Sequence, residues 1–417
     1  MWFIAHRLFK QSDAKRRVSG TAISIATAGV ALGIAVMLIS IAVLQGFQRE
    51  VRGKVTGFGA HLQMLDTRSL TTQQSYPIDV DKTAMARIRK TKGVKHAQRV
   101  CAIAGMLKTD STFRGVQLRG VGPDYDLTFL QQHLVEGEIP AFSDEESSNN
   151  IVISRETAKY LNLKVGDRAY AYFFDNSIRA RRFTVAGIYC TNMVDFDRLC
   201  VFTDYAMVHR IQRFGGSLPW TEDQCSAVEI MVDDYDQLGE VHQRVLDRFF
   251  NPDSPDALPY PILSVREIYP QVFSWLELLD MDVWVILILM TCVAGVTMVS
   301  GLLIIILERT NFIGVMKAIG ATNGQLQRLF LIYAAQIVLR GLVLGNVIAF
   351  AALFAQQQFS IFRLEPETYY MDTVPVYFHV PFIIAVNVAT FVVSFLAMIV
   401  PSYLVSKIHP AQSIRFE

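Results

Sequence analysis

The chain has 417 residues, 52% of them hydrophobic, with a formal net charge of +1 and a mean hydropathy of +0.30. That is too apolar for an ordinary soluble protein of this size and points to membrane spans joined to a water-soluble portion. The net charge says nothing about nucleic acid, no basic tract with interleaved aromatics appears and no nucleic-acid partner is expected, and the five cysteines show no metal-ligand spacing.

Residues 1–20 begin MWFIAHRLFKQSDAKRR. Trp2, Phe3, Ile4, Leu8 and Phe9 with basic residues behind them suit a cytoplasmic amphipathic helix lying in the membrane interface. A spanning helix needs roughly 20 mostly apolar residues. Residues 21–44 supply the first such window. This run is longer than a signal-peptide core and has no small-residue cleavage site, so a retained helix is expected. Residues 283–307, 326–354 and 382–403 supply three more.

Lys and Arg set the orientation. Arg7, Lys10, Lys15, Arg16 and Arg17 precede the first span, Arg309, Lys317 and Arg328 follow the second, and Lys407 and Arg415 lie in the tail at residues 404–417. These segments are expected in the cytoplasm, with both termini inside. The loop at 355–381 carries Glu365, Glu367 and Asp372 against Arg363 and is expected outside, together with residues 45–282.

Within 45–282, VDKTAMARIRKTKGVKHAQRVCAIAGML reads as a helix, a turn at Gly93 and a strand. A second strand–helix unit starts at CSAVEIMVDDYDQLGEVHQRVLDRFF, and alternating strands fill the segment between the two. The pattern is that of a split α+β domain. Cys101, Cys190, Cys200 and Cys225 fall here; an external address permits disulfides, and both paired and free thiols remain open. Asp195 and Asp197 flank Phe196 and, on a strand, share one face, where a structural role is expected. There is no HExxH, no nucleophile motif and no GxxxxGK[ST] loop, so no catalysis, resident cofactor or ATP hydrolysis is expected of this chain.

Three groups within the membrane portion stand out. Gly29 and Gly33 in the first span, and Gly341 and Gly345 in the third, form GxxxG pairs, suited to packing within one subunit or across a dimer interface. Arg340 lies in the middle of the third span with Gln336 and Tyr333 on its face, either bonded to a neighbouring helix or serving gating or a headgroup. Residues 308–325 open with ERTNFIGVMKAIGAT. On a helix, Phe312, Ile313, Met316 and Ile319 form an apolar stripe, able to enter a groove on a partner or to rest on lipid.

The combination resembles the FtsX-like (type VII) permeases of ABC transporters, and most nearly the lipoprotein-releasing permeases. The likeness rests on AISIATAGVALGIAVMLISIAVLQGFQREV, GVQLRGVGPD, RRFTVAGIYCTNMVDFD and LERTNFIGVMKAIGAT; LEPETYYMDTVPV looks like the Bacteroidota branch. The resemblance implies an α-helical membrane protein with four transmembrane helices and a large α+β periplasmic domain, MacB-like, inserted between helices 1 and 2. That domain would have a Porter part at about 61–117 and 226–265 and a Sabre part at about 118–225. The protein would sit in the bacterial inner membrane.

It further implies a dimer of permeases served by two copies of a separate cytoplasmic ATPase, which binds the ATP and Mg. Closure of the ATPase would be passed up the helices to the periplasmic domains to release lipoproteins. Residues 308–325 would be the coupling helix docking that ATPase, through Glu308, Arg309, Phe312, Ile313, Met316, Lys317, Ile319 and Gly320. Phe312 stands where many members carry an acidic residue. In some relatives a hairpin captures a periplasmic carrier. The matching stretch here, about Phe174–Arg182 with Arg179, Arg181 and Arg182, is shorter and lacks the Pro/Gly tip. Two alternatives share the architecture: an FtsX-like signalling scaffold acting on cell-wall hydrolases, and a MacB-like efflux permease.

Overall fold

A computed structural model describes residues 17–72, 74–110, 112–174, 178–215 and 220–407. Nearly all of the expected interface helix and residues 408–417 of the tail lie outside the described residues. In chain order the main helices are α1 (Arg17–Gly59), α2 (Lys82–Arg89), α3 (Tyr205–Gly215), α4 (Leu238–Phe249), α5 (Pro270–Glu308), α6 (Thr310–Ala318), α7 (Asn323–Phe359), α8 (Val380–Ala397) and α9 (Ile399–Lys407). The chain divides into two compact units. One holds residues up to Arg49 with Trp275–Arg363 and Thr373 onward; the other holds Glu50–Ser274 and Leu364–Asp372.

Among its described residues the first unit contains four helical segments long and apolar enough to cross a membrane: Ile23–Gly59, Pro270–Glu308, Asn323–Phe359 and Val380–Tyr403. The expected spans at 283–307, 326–354 and 382–403 fall inside them and 21–44 overlaps the first from residue 23 on, but the helices run further. α1 has 43 residues, about 65 Å at 1.5 Å per residue, roughly twice the hydrocarbon thickness. Its polar continuation QREVRGKVT is helical because helix propensity is independent of the hydrophobicity that ends a span. The fourth segment is broken at Met398. Pro401 has no N–H to give to Ala397, so the ladder loses a bond there.

Apolar side chains of α1, α5, α7 and the α6 turn meet in one core, which includes Ile34, Met37, Met298, Leu302, Phe330 and Ile337. Antiparallel contact of α1 with α5 uses small residues in register: Ala26 against Gly301, Gly29 against Thr297 and Gly33 against Ala294. Parallel contact of α1 with α7 sets Val30 against Gly341 and Ile34 against Gly345.

Among its described residues the second unit has twelve strands: β1 (Leu62–Leu65), β2 (Ile78–Asp79), β3 (Val94–Lys108), β4 (Phe113–Val121), β5 (Leu134–Gly137), β6 (Asn150–Ser154), β7 (Arg168–Phe174), β8 (Ile178–Tyr189), β9 (Cys200–Asp204), β10 (Gln224–Cys225), β11 (Ala227–Val232) and β12 (Ile262–Ser264). Ten form one sheet in the order β12-β1-β11-β3-β4-β9-β6-β8-β5, with β7 bonded to β3 and β8. β2 pairs with β10 separately. Most pairs are antiparallel, while β4–β9 and β6–β8 are parallel.

The expected helix–Gly93–strand unit is α2, a left-handed Gly93 at φ +92° and β3; the second unit is β11 followed by α4. The division at 117/118 falls inside β4, because β3 and β4 run unbroken from one part of the sheet into the other. Near the middle of the sheet, the Arg119 guanidinium donates to the enclosed Glu229 carboxylate, which also accepts from Gln98 Nε2 at 3.0 Å. Phe58, at the domain end of α1, packs among Phe129, Phe196 and Phe202.

Asp195 and Asp197 lie on a short helix, Val194–Leu199, and not on a strand. Asp197 is buried and accepts from the Thr191 hydroxyl at 2.7 Å and the Thr191 amide at 3.1 Å, closing a turn. Burial pushes its carboxyl above the usual carboxylate range. All four domain cysteines are free thiols; Cys101, Cys200 and Cys225 are buried and Cys190 is half-buried.

The loop expected at 355–381 is shorter and less free than its polarity suggests. α7 extends to Phe359, and the middle of the loop packs with the domain. Buried Lys54 donates to the Tyr370 carbonyl at 2.7 Å, and Asn192 Nδ2 to Asp372 Oδ2 at 2.6 Å.

Candidate functional site

The α6 turn is assembled by two capping devices. At its C-terminus the Gly320 amide bonds to Lys317 O at 3.0 Å and the Ala321 amide to Met316 O at 2.9 Å. With Gly320 at φ +101° this is a Schellman motif, which needs a residue tolerant of the left-handed region. Immediately afterwards Thr322 caps α7. Its hydroxyl accepts from the Gln325 amide at 3.4 Å, and its own amide donates to Gln325 Oε1 at 3.0 Å. The sequence AIGATNGQ therefore stops one helix and starts the next within four residues.

The stripe expected on one face of α6 is divided by the structure. Ile313 is 0% exposed and belongs to the same apolar core as Leu326 and Phe330, with Met316 packed against it. Phe312 is half-buried, and Ile319 lies beyond the last turn as the C-cap residue, 78% exposed. The free side of the turn is Asn311, Val315, Ala318, Ile319 and Gly320, with Val315 48% exposed. The reason is geometric. A helix of nine residues tied at both ends to long helices must spend its most apolar positions on closing the bundle. Sequence periodicity located the amphipathic segment but could not say which apolar residues faced inward. Glu308 ends α5, Arg309 stands at the break, and Lys317 is half-buried in the last turn. Glu308 Oε2 is enclosed without a hydrogen-bond partner among the described residues.

Both GxxxG pairs, for which packing within one subunit and a dimer interface were both open, make close contacts inside this one chain. A Cβ on Gly29 would stand 2.6 Å from Thr297 Cγ2, and one on Gly33 would stand 3.7 Å from Ala294 Cβ. A Cβ on Gly341 would meet Val30 at 2.8 Å, and one on Gly345 would stand 2.6 Å from the Ala31 carbonyl. α1 is thus clasped between α5 and α7.

Arg340 is exposed on α7, while Tyr333 is buried and Gln336 half-buried beside an open groove between α7 and α8. A further polar contact joins these two helices. Asn346 Nδ2 donates to Asn387 Oδ1 at 2.7 Å, and Asn387 Nδ2 returns a bond to Asn346 Oδ1 at 3.2 Å. The signal in the sequence was one Asn in each of two apolar windows, and sequence alone does not pair them.

Arg179, Arg181 and Arg182 lie on β8, opposite β7 in a hairpin whose tip, residues 175–177, is outside the described residues. Strand alternation puts Arg179 and Arg181 on one face and Arg182 on the other, so the three do not make one patch. Arg179 donates to the Phe214 carbonyl.

Comparison with known proteins bears on the whole chain. Residues 23–248 match the MacB-like periplasmic core domain and residues 284–410 the FtsX-like permease C-terminal. The lipoprotein-releasing system transmembrane protein LolC of Xylella fastidiosa is 22% identical, over 93% of this chain and 92% of that protein. LolE of Haemophilus influenzae is also 22% identical, over 99% and 98%. The periplasmic region of MacB from Actinobacillus actinomycetemcomitans is 14% identical, covering 52% of this chain and 95% of that one, with a TM-score of 0.34. Since the core-domain match spans more than half of the chain and the permease match covers the helices beyond it, the chain belongs to the MacB-type, FtsX-like family of ABC transporter permeases.

Proposed function

We propose that this permease transmits ATP-driven movement from a separate cytoplasmic ATPase to its inserted domain, and that the movement releases lipoproteins from the inner membrane. In this reading α6, the termini and the α5–α7 connection are cytoplasmic, in line with the Lys and Arg distribution, and the domain is periplasmic. Two ATPase copies hold the ATP and Mg, and a second permease completes the assembly. The lipoprotein cargo is supported by relatives bearing that name along nearly their full length.

The observation that carries the docking site is the divided character of α6. Ile313 anchors the turn in the bundle core while Val315 and Ile319 project from it. An apolar edge on a rigid turn suits a groove on a partner, and force applied there passes directly to the core shared by α1, α5 and α7.

The test is gentle purification of the full chain from its native membrane with mass spectrometry of what accompanies it. Wild type should bring down an ABC ATPase and lipoproteins. Val315→Asp/Ile319→Asp should lose the ATPase while keeping its expression and thermal stability. An ATPase retained equally by the double variant removes the docking site. Cell-wall hydrolases in place of lipoproteins would transfer the mechanics to a signalling role.

A further inference from the structure

Between α7 and α8 lies an open groove of about 410 Å³, within the range of small-molecule sites. Arg328 stands at one end, in the second turn of α7, and Leu339 at the other. Eleven helical steps separate them, about 16 Å along the axis. That is close to half of the roughly 30 Å hydrocarbon layer, the depth of one leaflet. Ala335, small and half-buried, lines the groove between them. The opposite wall is Phe391 and Phe395, whose rings stack with centroids 6.2 Å apart. Among the described residues, Gln336 is the one polar side chain besides Arg328 that lines it.

We infer that this groove is a binding site for an anionic phospholipid of the leaflet on the α6 side, independent of any ATPase docking. The phosphate sits on the Arg328 guanidinium, which offers planar, bidentate donors at the depth where headgroups lie. One acyl chain follows α7 past Ala335 to Leu339, covered by the Phe391 and Phe395 rings. The charge at one end and apolar walls of single-leaflet length select this occupant. A second copy of the chain would have no use for a cation at the mouth and a slot ending at mid-membrane. Lipid held here wedges between α7 and α8 on the side of the bundle away from α1, which the two GxxxG contacts already clasp.

The experiment uses the full chain in dodecyl maltoside, titrated with dioleoylphosphatidylglycerol or dioleoylphosphatidylcholine and read by native mass spectrometry. Wild type should retain phosphatidylglycerol in preference to phosphatidylcholine. Arg328→Gln, an exposed change that leaves the fold alone, should reduce phosphatidylglycerol affinity about fivefold and abolish the preference. Ala335→Trp should lose both lipids. Equal binding of the two lipids by wild type, or a preference unchanged in Arg328→Gln, overturns the proposal. So does a shift in dimer content with lipid binding intact in Ala335→Trp, which would give the groove to a second copy.

Discussion

The clasp around α1 makes a graded prediction. Alanine at Gly33 meets only Ala294 Cβ at 3.7 Å and Met290 O at 3.8 Å, ordinary van der Waals contact. It should be neutral, or stabilising by up to about 1 kcal/mol through helix propensity. Alanine at Gly29 presses on the Thr297 methyl at 2.6 Å, a side chain that can rotate if it gives up its bond to Val293 O. Its cost should be about 1 kcal/mol. Alanine at Gly345 overlaps Ile34 and stands 2.6 Å from the Ala31 carbonyl, which cannot move without shifting α1. Overpacking against backbone should cost about 2–3 kcal/mol. Thermal unfolding in detergent, together with the monomer–dimer ratio, reads the series. The expected order of stability is Gly33→Ala, then Gly29→Ala, then Gly345→Ala, with the dimer fraction unchanged. If Gly33→Ala instead dissociates a dimer while Gly345→Ala is harmless, the glycines serve an interface between copies and the intrachain clasp is wrong.

Three further outcomes are expected. Asn346→Leu should cost about 0.6–1.7 kcal/mol by stranding the Asn387 amide, and the double replacement Asn346→Leu/Asn387→Leu should recover part of it; additive losses in a double-mutant cycle would deny the pair. His61 is held neutral in the fold, its pKa lowered to about 4 by burial and by nearby Lys95, and its Nδ1 accepts the Val232 amide at 3.2 Å. Since the unfolded chain takes up a proton below about 6.5, stability should be lost as pH falls from about 6.5 to about 4, by at most about 3 kcal/mol. The stability difference between wild type and His61→Asn in thermal scans should be constant above pH ~7 and move against wild type as pH falls through that window; a difference independent of pH throughout would contradict the assignment. Burial pushes the Cys101 thiol up to about 12, so N-ethylmaleimide should modify half-buried Cys190 well before Cys101, Cys200 or Cys225 in the native chain, and a disulfide among the four in a non-reducing digest would contradict the structure.

Four spans, the inserted domain and its strand–helix units were legible because each leaves a local signal: an apolar window, a period of two, a glycine turn. The α6 segment was legible as an amphipathic turn. The facing of Ile313 was not, since every residue of a short apolar stripe looks alike until a core claims some of them. Asp195 and Asp197 were misplaced for a similar reason: MVDFDRL alternates like a strand, while the bonds from Thr191 to Asp197 close a turn that leads into a short helix.

The sequence alone determined what kind of protein this is. Hydrophobic windows of bilayer length, flanking charge and a domain-sized polar insert follow from transfer free energies that depend only on composition and order. Tertiary structure decided which residues are spent on holding the chain together and which are left over. The Gly29–Gly33 pair went to α5, the Gly341–Gly345 pair to α1, and Ile313 to the bundle core; Val315 and Ile319 stayed outside. Packing is a competition among surfaces far apart in sequence, so no local pattern records its outcome.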